Sequence, residues 1–235
     1  MVKFTSENAP TNNKPTKRKP DRRKRRPTGS AKTAKAGVLR GGDRMTRRSP
    51  GAQLIILVGF MGAGKTCVGR ALADELGWTF EDLDDRVERR ERRKVAEIFR
   101  HSGEDEFRRA EHLALKELLE ARAGAPKVVA LGGGAFVQAA NAALIEAAEV
   151  PTVFLDAAVE ELWRRCREQA EKDGTERPLL EGQDRFRELY EMRRPHYLKA
   201  SQRQETGGKT VKEIVVEVRQ ALGLGKGGNK RGETK

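Results

Sequence analysis

Leu54-Ile55-Ile56-Leu57-Val58 runs straight into Gly59-Phe60-Met61-Gly62-Ala63-Gly64-Lys65-Thr66. The first five residues are wholly apolar, as suits a short strand buried on both faces of a parallel sheet. The next eight match G-x-x-x-x-G-K-[ST] in full. Beyond them Val68, Leu72 and Leu76 recur at helical spacing, and Gly77 closes the helix. Apolar strand, glycine loop and helix together are the context in which this motif binds phosphate. Glycines let the backbone curl so that successive N–H groups face phosphate oxygens. The helix that follows adds its positive end. Lys65 then supplies a point charge to the β- and γ-phosphates, and the Thr66 hydroxyl a ligand to Mg²⁺. A chance glycine-rich turn between strand and helix is the plain alternative.

Working outward, the chain keeps alternating. Trp78 to Leu83 (WTFEDL) reads as a second strand. Residues 85–122 are charged and helical, with a break near Ser102 and Gly103. Lys127 to Leu131 (KVVAL) is a third strand that stops at Gly132-Gly133-Gly134. A helix over Asn141 to Ala148 and a fourth strand over Thr152 to Leu155 follow, then helices over 157–172, 183–193 and 210–222. This order predicts an α/β fold, a parallel sheet with helices on both faces.

The 235 residues carry a net charge of +13, which suggests a nucleic-acid binder until the charge is located. Residues 1–50 hold 16 Lys and Arg against Glu7, Asp21 and Asp43, and the rest of the chain holds 32 basic and 32 acidic residues. The imbalance is therefore a property of the first 50 residues, and the folded part gives no electrostatic reason to expect nucleic acid. That segment has few large apolar residues and is expected to be a disordered basic tail. Its cluster Lys17 to Arg26 (KRKPDRRKRR) is read as a solvated tail, or as a weak polyanion or RNA tether. Met45 offers an alternative start. No apolar run approaches the ~18 residues of a membrane span, and no apolar stretch follows the N-terminal charges as in a secretory signal. The expectation is a cytoplasmic protein making no membrane contact. Cys67 and Cys166 are too few for a disulfide framework or a metal site and are read as small apolar residues. His101, His112 and His196 fit no motif, and Trp78 and Trp163 are read as packing anchors.

The second strand ends in Asp82-Leu83-Asp84, and alternate residues of a strand point the same way. Both carboxylates can face the crevice at the carboxyl ends of the strands, where open α/β folds bind ligands. One would serve Mg²⁺ and the other an acceptor hydroxyl. The alternative is a pair capping the next helix.

With these residues in place the chain, from Gln53 to about Ser201, resembles the shikimate kinase family. The matching pieces are GFMGAGKT at 59–66, D-x-D at 82–84 and G-E-x-E-F-R-R-x-E from Gly103 to Glu111. L-G-G-G at 131–134, R-P-L-L at 177–180 and R-x-P-x-Y from Arg193 to Tyr197 complete the set in the family's order. The resemblance implies the fold of nucleoside monophosphate kinases: a five-stranded parallel sheet, a helical substrate-binding subdomain over about 84–122 and a mobile lid over about 166–184. The kinase domain would span 51–222, with a frayed C-terminal tail over 223–235.

The resemblance also implies a function and its residues. The γ-phosphoryl of ATP goes to the 3-hydroxyl of shikimate, a step toward chorismate and the aromatic amino acids, in a monomer. Gly62, Ala63, Gly64, Lys65, Thr66 and Cys67 cradle the ATP phosphates. Asp82 reaches Mg²⁺ through water, and Asp84 accepts the proton of the attacking hydroxyl. Arg108 and Arg193 hold the substrate carboxylate, and Gly132, Gly133 and Gly134 let the ring lie against bare backbone. Arg177, stiffened by Pro178, closes the lid over the phosphates, and Arg165 packs on adenine. The chemistry is coherent without the family. A guanidinium fork suits a planar carboxylate, and Glu111, three residues after Arg108 on a helix, can hold that arginine in place. On spacing alone Arg108 remains an exposed helix cation, Arg193 with Arg194 a C-terminal charge pair, and the glycines a plain loop.

Two stretches depart from the family, and the first, Trp163 to Arg177 (WRRCREQAEKDGTER), is longer and more charged. In the second, where the family carries a hydrophobic fifth strand leading to Asp-Thr near the adenine, this chain has Ser201 to Thr206 (SQRQET), polar and shorter. Two other functions stay open at this level: a kinase for another polyol acid such as gluconate, and a nucleotide-binding protein without kinase activity working through its basic tail.

Overall fold

The computed structural model describes residues 54–121, 124–173 and 182–225. The expected tails and the lid segment with Arg177 lie wholly or largely outside these residues. Five parallel strands form one sheet in the order β2-β3-β1-β4-β5. β1 (Leu54–Val58) is central and buried along its whole length, as its unbroken apolar run requires. β3 (Lys127–Ala130) and β4 (Thr152–Asp156) flank it, with Ile56 opposite both Val129 and Thr152. β2 (Thr79–Asp82) and β5 (Gln202–Glu205) form the edges.

Each crossover is helical. α1 (Lys65–Leu76) follows β1 and buries Val68, Leu72 and Leu76. α2 (Leu83–Glu91) and α3 (Val95–Glu120) follow β2, and α3 leaves helical geometry at Gly103, where φ is 78°. A 3₁₀ turn (Ala135–Val137) and α4 (Ala139–Ala147) follow β3. α5 (Val159–Asp173) and α6 (Gln183–Tyr197) lie between β4 and β5, and α7 (Val211–Ala221) closes the described chain. α6 runs four residues beyond the expected stop at 193, with Pro195 inside it.

β5 forms although it carries only QRQE, pairing Val153 with Gln202 through to Asp156 with Glu205. An edge strand needs only one inward side chain here. Gln204 is buried and donates to Glu205 O at 2.9 Å, and its amide also meets Glu217 of α7. Arg203 donates to buried Asp156 at 2.9 Å. The parallel direction brings the carboxyl ends of all five strands to one edge of the sheet, and the glycine loop, Asp82, Gly132 and Asp156 with them.

Candidate active site

Backbone shapes the first part of the site. Gly62 has φ 79°, and a Cβ there would lie 2.6 Å from the Leu162 carbonyl and 2.9 Å from Cys166 Sγ. No other residue fits that turn. Lys65 Nζ reaches back over the loop to donate to Gly59 O at 2.9 Å and Phe60 O at 3.1 Å. Burial pushes its pKa down, and the nearby carboxylates of Asp84 and Asp82 oppose this. The charge that the loop offers to an anion is thus held by main chain. Ala63 is buried beside it, while Cys67 is exposed and Cys166 buried, so only Cys166 behaves as the packing residue its composition suggested.

Asp82 serves two neighbours at once. Its Oδ1 accepts from Asp84 N at 3.1 Å and caps α2, while its Oδ2 accepts from Thr66 Oγ1 at 3.2 Å. The capping alternative is thus realised at Asp82, and the same side chain also ties β2 to Thr66 of the glycine loop. Among the described residues no group of three or more His, Cys, Asp or Glu could hold a metal ion. Thr66 and Asp82 are two hard oxygen donors, the number Mg²⁺ takes when phosphate and water complete its shell. The residues fit that ion and do not fit a closed protein cage.

The acceptor side is built from side chains. Asp84, in the first turn of α2, has a buried Oδ1 with no hydrogen-bond partner. Burial, then the charge of Asp82, raises its pKa to about 6 against the pull of Lys65 and Arg108. Arg108 on α3 donates through Nη1 to Glu111 Oε2 at 3.0 Å, the pair that the i,i+3 spacing predicted. It also donates through Nε and Nη2 to Glu104 Oε1 at 3.1 and 2.9 Å. Glu111 is almost fully buried, its Oε1 lacks a partner, and burial raises it to about 7 despite Arg108.

The triple glycine is the wall facing these groups. A Cβ at Gly132 would sit 2.7 Å from Asp84 Oδ1, and one at Gly134 would sit 2.6 Å from Arg108 Nη2. At Gly133 a Cβ would lie 3.7 Å from Arg193 Nη1. A side chain at Gly132 or Gly134 would therefore have to displace the Asp84 carboxylate or the Arg108 guanidinium. The carbonyl of Gly133 accepts from the Tyr197 hydroxyl, whose pKa burial raises to about 12. Arg193 stands over the Phe60 ring, its guanidinium 5.9 Å from the centroid. Arg194 turns away and donates to Asp156 at 2.9 Å and to the Tyr190 hydroxyl at 3.0 Å. Neighbours in sequence, the two arginines have separate tasks, and only Arg193 joins the site.

Two clefts open from this centre. A cleft of about 1470 Å³ is lined by Arg108, Arg193, Glu104, Phe99, Leu189 and Met192 among others. A cleft of about 440 Å³ on the far side of the loop is lined by Gly62, Cys67, Arg165, Lys209 and Ile214 among others. Arg165 is held there by Glu161 at 2.9 Å and by the carbonyl of Thr206 at 3.0 Å. Thr206 is buried and bonded twice to the Asp156 carbonyl. Gln202–Glu205 thus forms a real fifth strand despite its polar side chains. Sequence reasoning missed Glu104, although it lies at helical i,i+4 spacing from Arg108, and it missed Thr206 because the strand leading there is polar. Arg177 lies outside the described residues.

Residues 61–223 match the family model described as shikimate kinase. The shikimate kinase of Cereibacter sphaeroides is 41% identical over 193 residues, covering 80% of this chain and 92% of that protein. The shikimate kinase of Caulobacter vibrioides is 43% identical over 177 residues, covering 72% and 84%. Among solved structures, that of Acinetobacter baumannii shikimate kinase in complex with shikimate aligns with a TM-score of 0.63 at 34% identity. That alignment covers 72% of this chain and 92% of the other.

Proposed function

The chain belongs to the shikimate kinase family, and from that premise we propose that it transfers the γ-phosphoryl of ATP to the 3-hydroxyl of shikimate, giving shikimate 3-phosphate and ADP. The observation that carries this reading is the convergence at one sheet edge of a phosphate loop, a buried carboxylate with an unpartnered oxygen, and two arginines across a glycine wall. A hydroxylated ring acid answers all three. The relatives named above do not favour gluconate as acceptor or a protein without kinase activity.

In this reading Gly62 to Cys67 receive the triphosphate on backbone N–H groups, and Lys65 exchanges the carbonyls of Gly59 and Phe60 for phosphate oxygens. Thr66 and Asp82 would hold Mg²⁺, which would neutralise charge on the phosphate oxygens. Arg108 and Arg193 take the carboxylate of shikimate, and Gly132 to Gly134 admit the ring close to the backbone. That pose directs a ring hydroxyl to Asp84. With a pKa of about 6 the carboxyl is largely ionised at neutral pH, so its free oxygen accepts the hydroxyl proton as the oxygen–phosphorus bond forms and ADP leaves. Arg165 borders the nucleotide cleft. The loop, Asp84 and the arginines supply positioning and charge, the two things phosphoryl transfer needs most.

The test is ADP release from ATP and Mg²⁺ by the full chain, with and without shikimate. Release that depends on shikimate is expected. Release that depends on another polyol acid and ignores shikimate would overturn the reading.

A further inference from the structure

Arg108 is already holding carboxylates, and the two it holds differ in kind. Glu111 is 1% exposed and sits on the buried face of α3. Glu104 is 63% exposed, and it occupies the Nε–Nη2 edge of the guanidinium with a single oxygen. A ligand carboxylate can pair with two parallel N–H groups on that edge. Glu104 also lines the large cleft together with Arg108 and Arg193. It directly follows Gly103, where the helix backbone breaks, and a Cβ at Gly103 would meet nothing within 4 Å. The turn bearing Glu104 therefore has room around it.

Breaking the Glu111 pair would strand a charge in the interior, which is costly. Releasing Glu104 returns a solvated carboxylate to water, which costs little. Of the two partners, only Glu104 can give way to a ligand. We propose that Glu104 is a placeholder for the substrate's carboxylate: it closes a guanidinium edge that an incoming acid can use, and so sets the fraction of molecules open to an acid there. This rests on Arg108 being a carboxylate site, as argued above. A dissociation constant measured on a partly closed site equals the intrinsic one divided by the open fraction. Every acid using that edge is then penalised by the same factor. A small carboxylate that makes no other contact rarely occupies the site, while one that also reaches Arg193 and Asp84 displaces Glu104.

The experiment titrates the full chain, without nucleotide, with shikimate and with cyclohexanecarboxylate, a ring acid without hydroxyls. Glu104→Gln should tighten both by a common factor of roughly two to five, the size of an exposed ion pair. The KM for shikimate should fall with it. Glu104→Ala should do the same, which separates loss of charge from the new amide. Unchanged or weaker binding in both variants overturns the placeholder, weaker binding meaning that Glu104 orients Arg108 instead. Arg108→Lys is measured in parallel. If it weakens shikimate while neither Glu104 variant tightens it, only the placeholder falls. If it leaves shikimate binding unchanged, the carboxylate reading of Arg108 falls and the placeholder with it.

Discussion

The two halves of the site are held in place by different means. On the phosphate side, backbone does the holding: Lys65 rests on two main-chain carbonyls, and Gly62 has no room for a Cβ. On the acceptor side, side-chain charges hold one another, with Arg108 between Glu104 and Glu111 and Asp84 between Lys65 and Arg108. A backbone cradle has one geometry and tolerates almost no change. A balance of charges can be shifted by a single atom, so the acceptor side is where affinity and pH response can be adjusted.

Lys65→Ala tests the rigid half most severely. Losing the one charge held over the loop should lower kcat on the order of 10³-fold, with a circular dichroism spectrum like the wild type. Wild-type-like turnover would break the comparison at its stronger end. Asp84→Asn should lower kcat by about 10²-fold or more, the range of general base catalysis. The same substitution should raise stability by on the order of 1–2 kcal/mol in denaturant titration, since it removes a buried charge whose carboxyl is raised to about 6. A variant that is both slow and less stable would show that Asp84 supports the fold.

Arg193→Ala should raise the KM for shikimate by about 10- to 100-fold, as losing a charged hydrogen bond does, while the KM for ATP holds. If the ATP value moves instead, the division into halves is misplaced at α6. The pH response sharpens the acceptor half alone. The base form of Asp84 is needed, so kcat should rise through about pH 6 and level off above it. Stability should run the other way. Asp84 and Glu111 bind protons more tightly when folded, with values near 6 and 7, so unfolding free energy should fall as pH rises from about 4 to 7. The smallest effect is expected at Arg165→Ala, a rise of several-fold in the KM for ATP, corresponding to about 1 kcal/mol of lost hydrogen bonding.

β1 and the phosphate loop could be read from sequence because each is self-sufficient. A strand buried on both faces must be apolar throughout, and the loop's function depends on local backbone. Glu111 was legible for a similar reason, since an i,i+3 pair is a local geometry. Arg193 and Arg194 could not be told apart by local rules. Adjacent residues on a helix point in different directions, and what decides their tasks is Asp156, carried by a strand far away in the chain. β5 was illegible for the opposite reason to β1. Its inward demand is met by Gln204 and its outer residues are free to be polar.

That polarity has a consequence for the protein's behaviour in company. The outermost strand of a sheet offers bare N–H and C=O groups to any extended chain that meets it, and crowded, half-folded molecules join most readily along such borders. Here the border carries Gln202, Arg203 and Glu205, all exposed. Side chains that favour water make this margin a poor template for another chain, so the residues that hid the fifth strand from view also discourage aggregation along it.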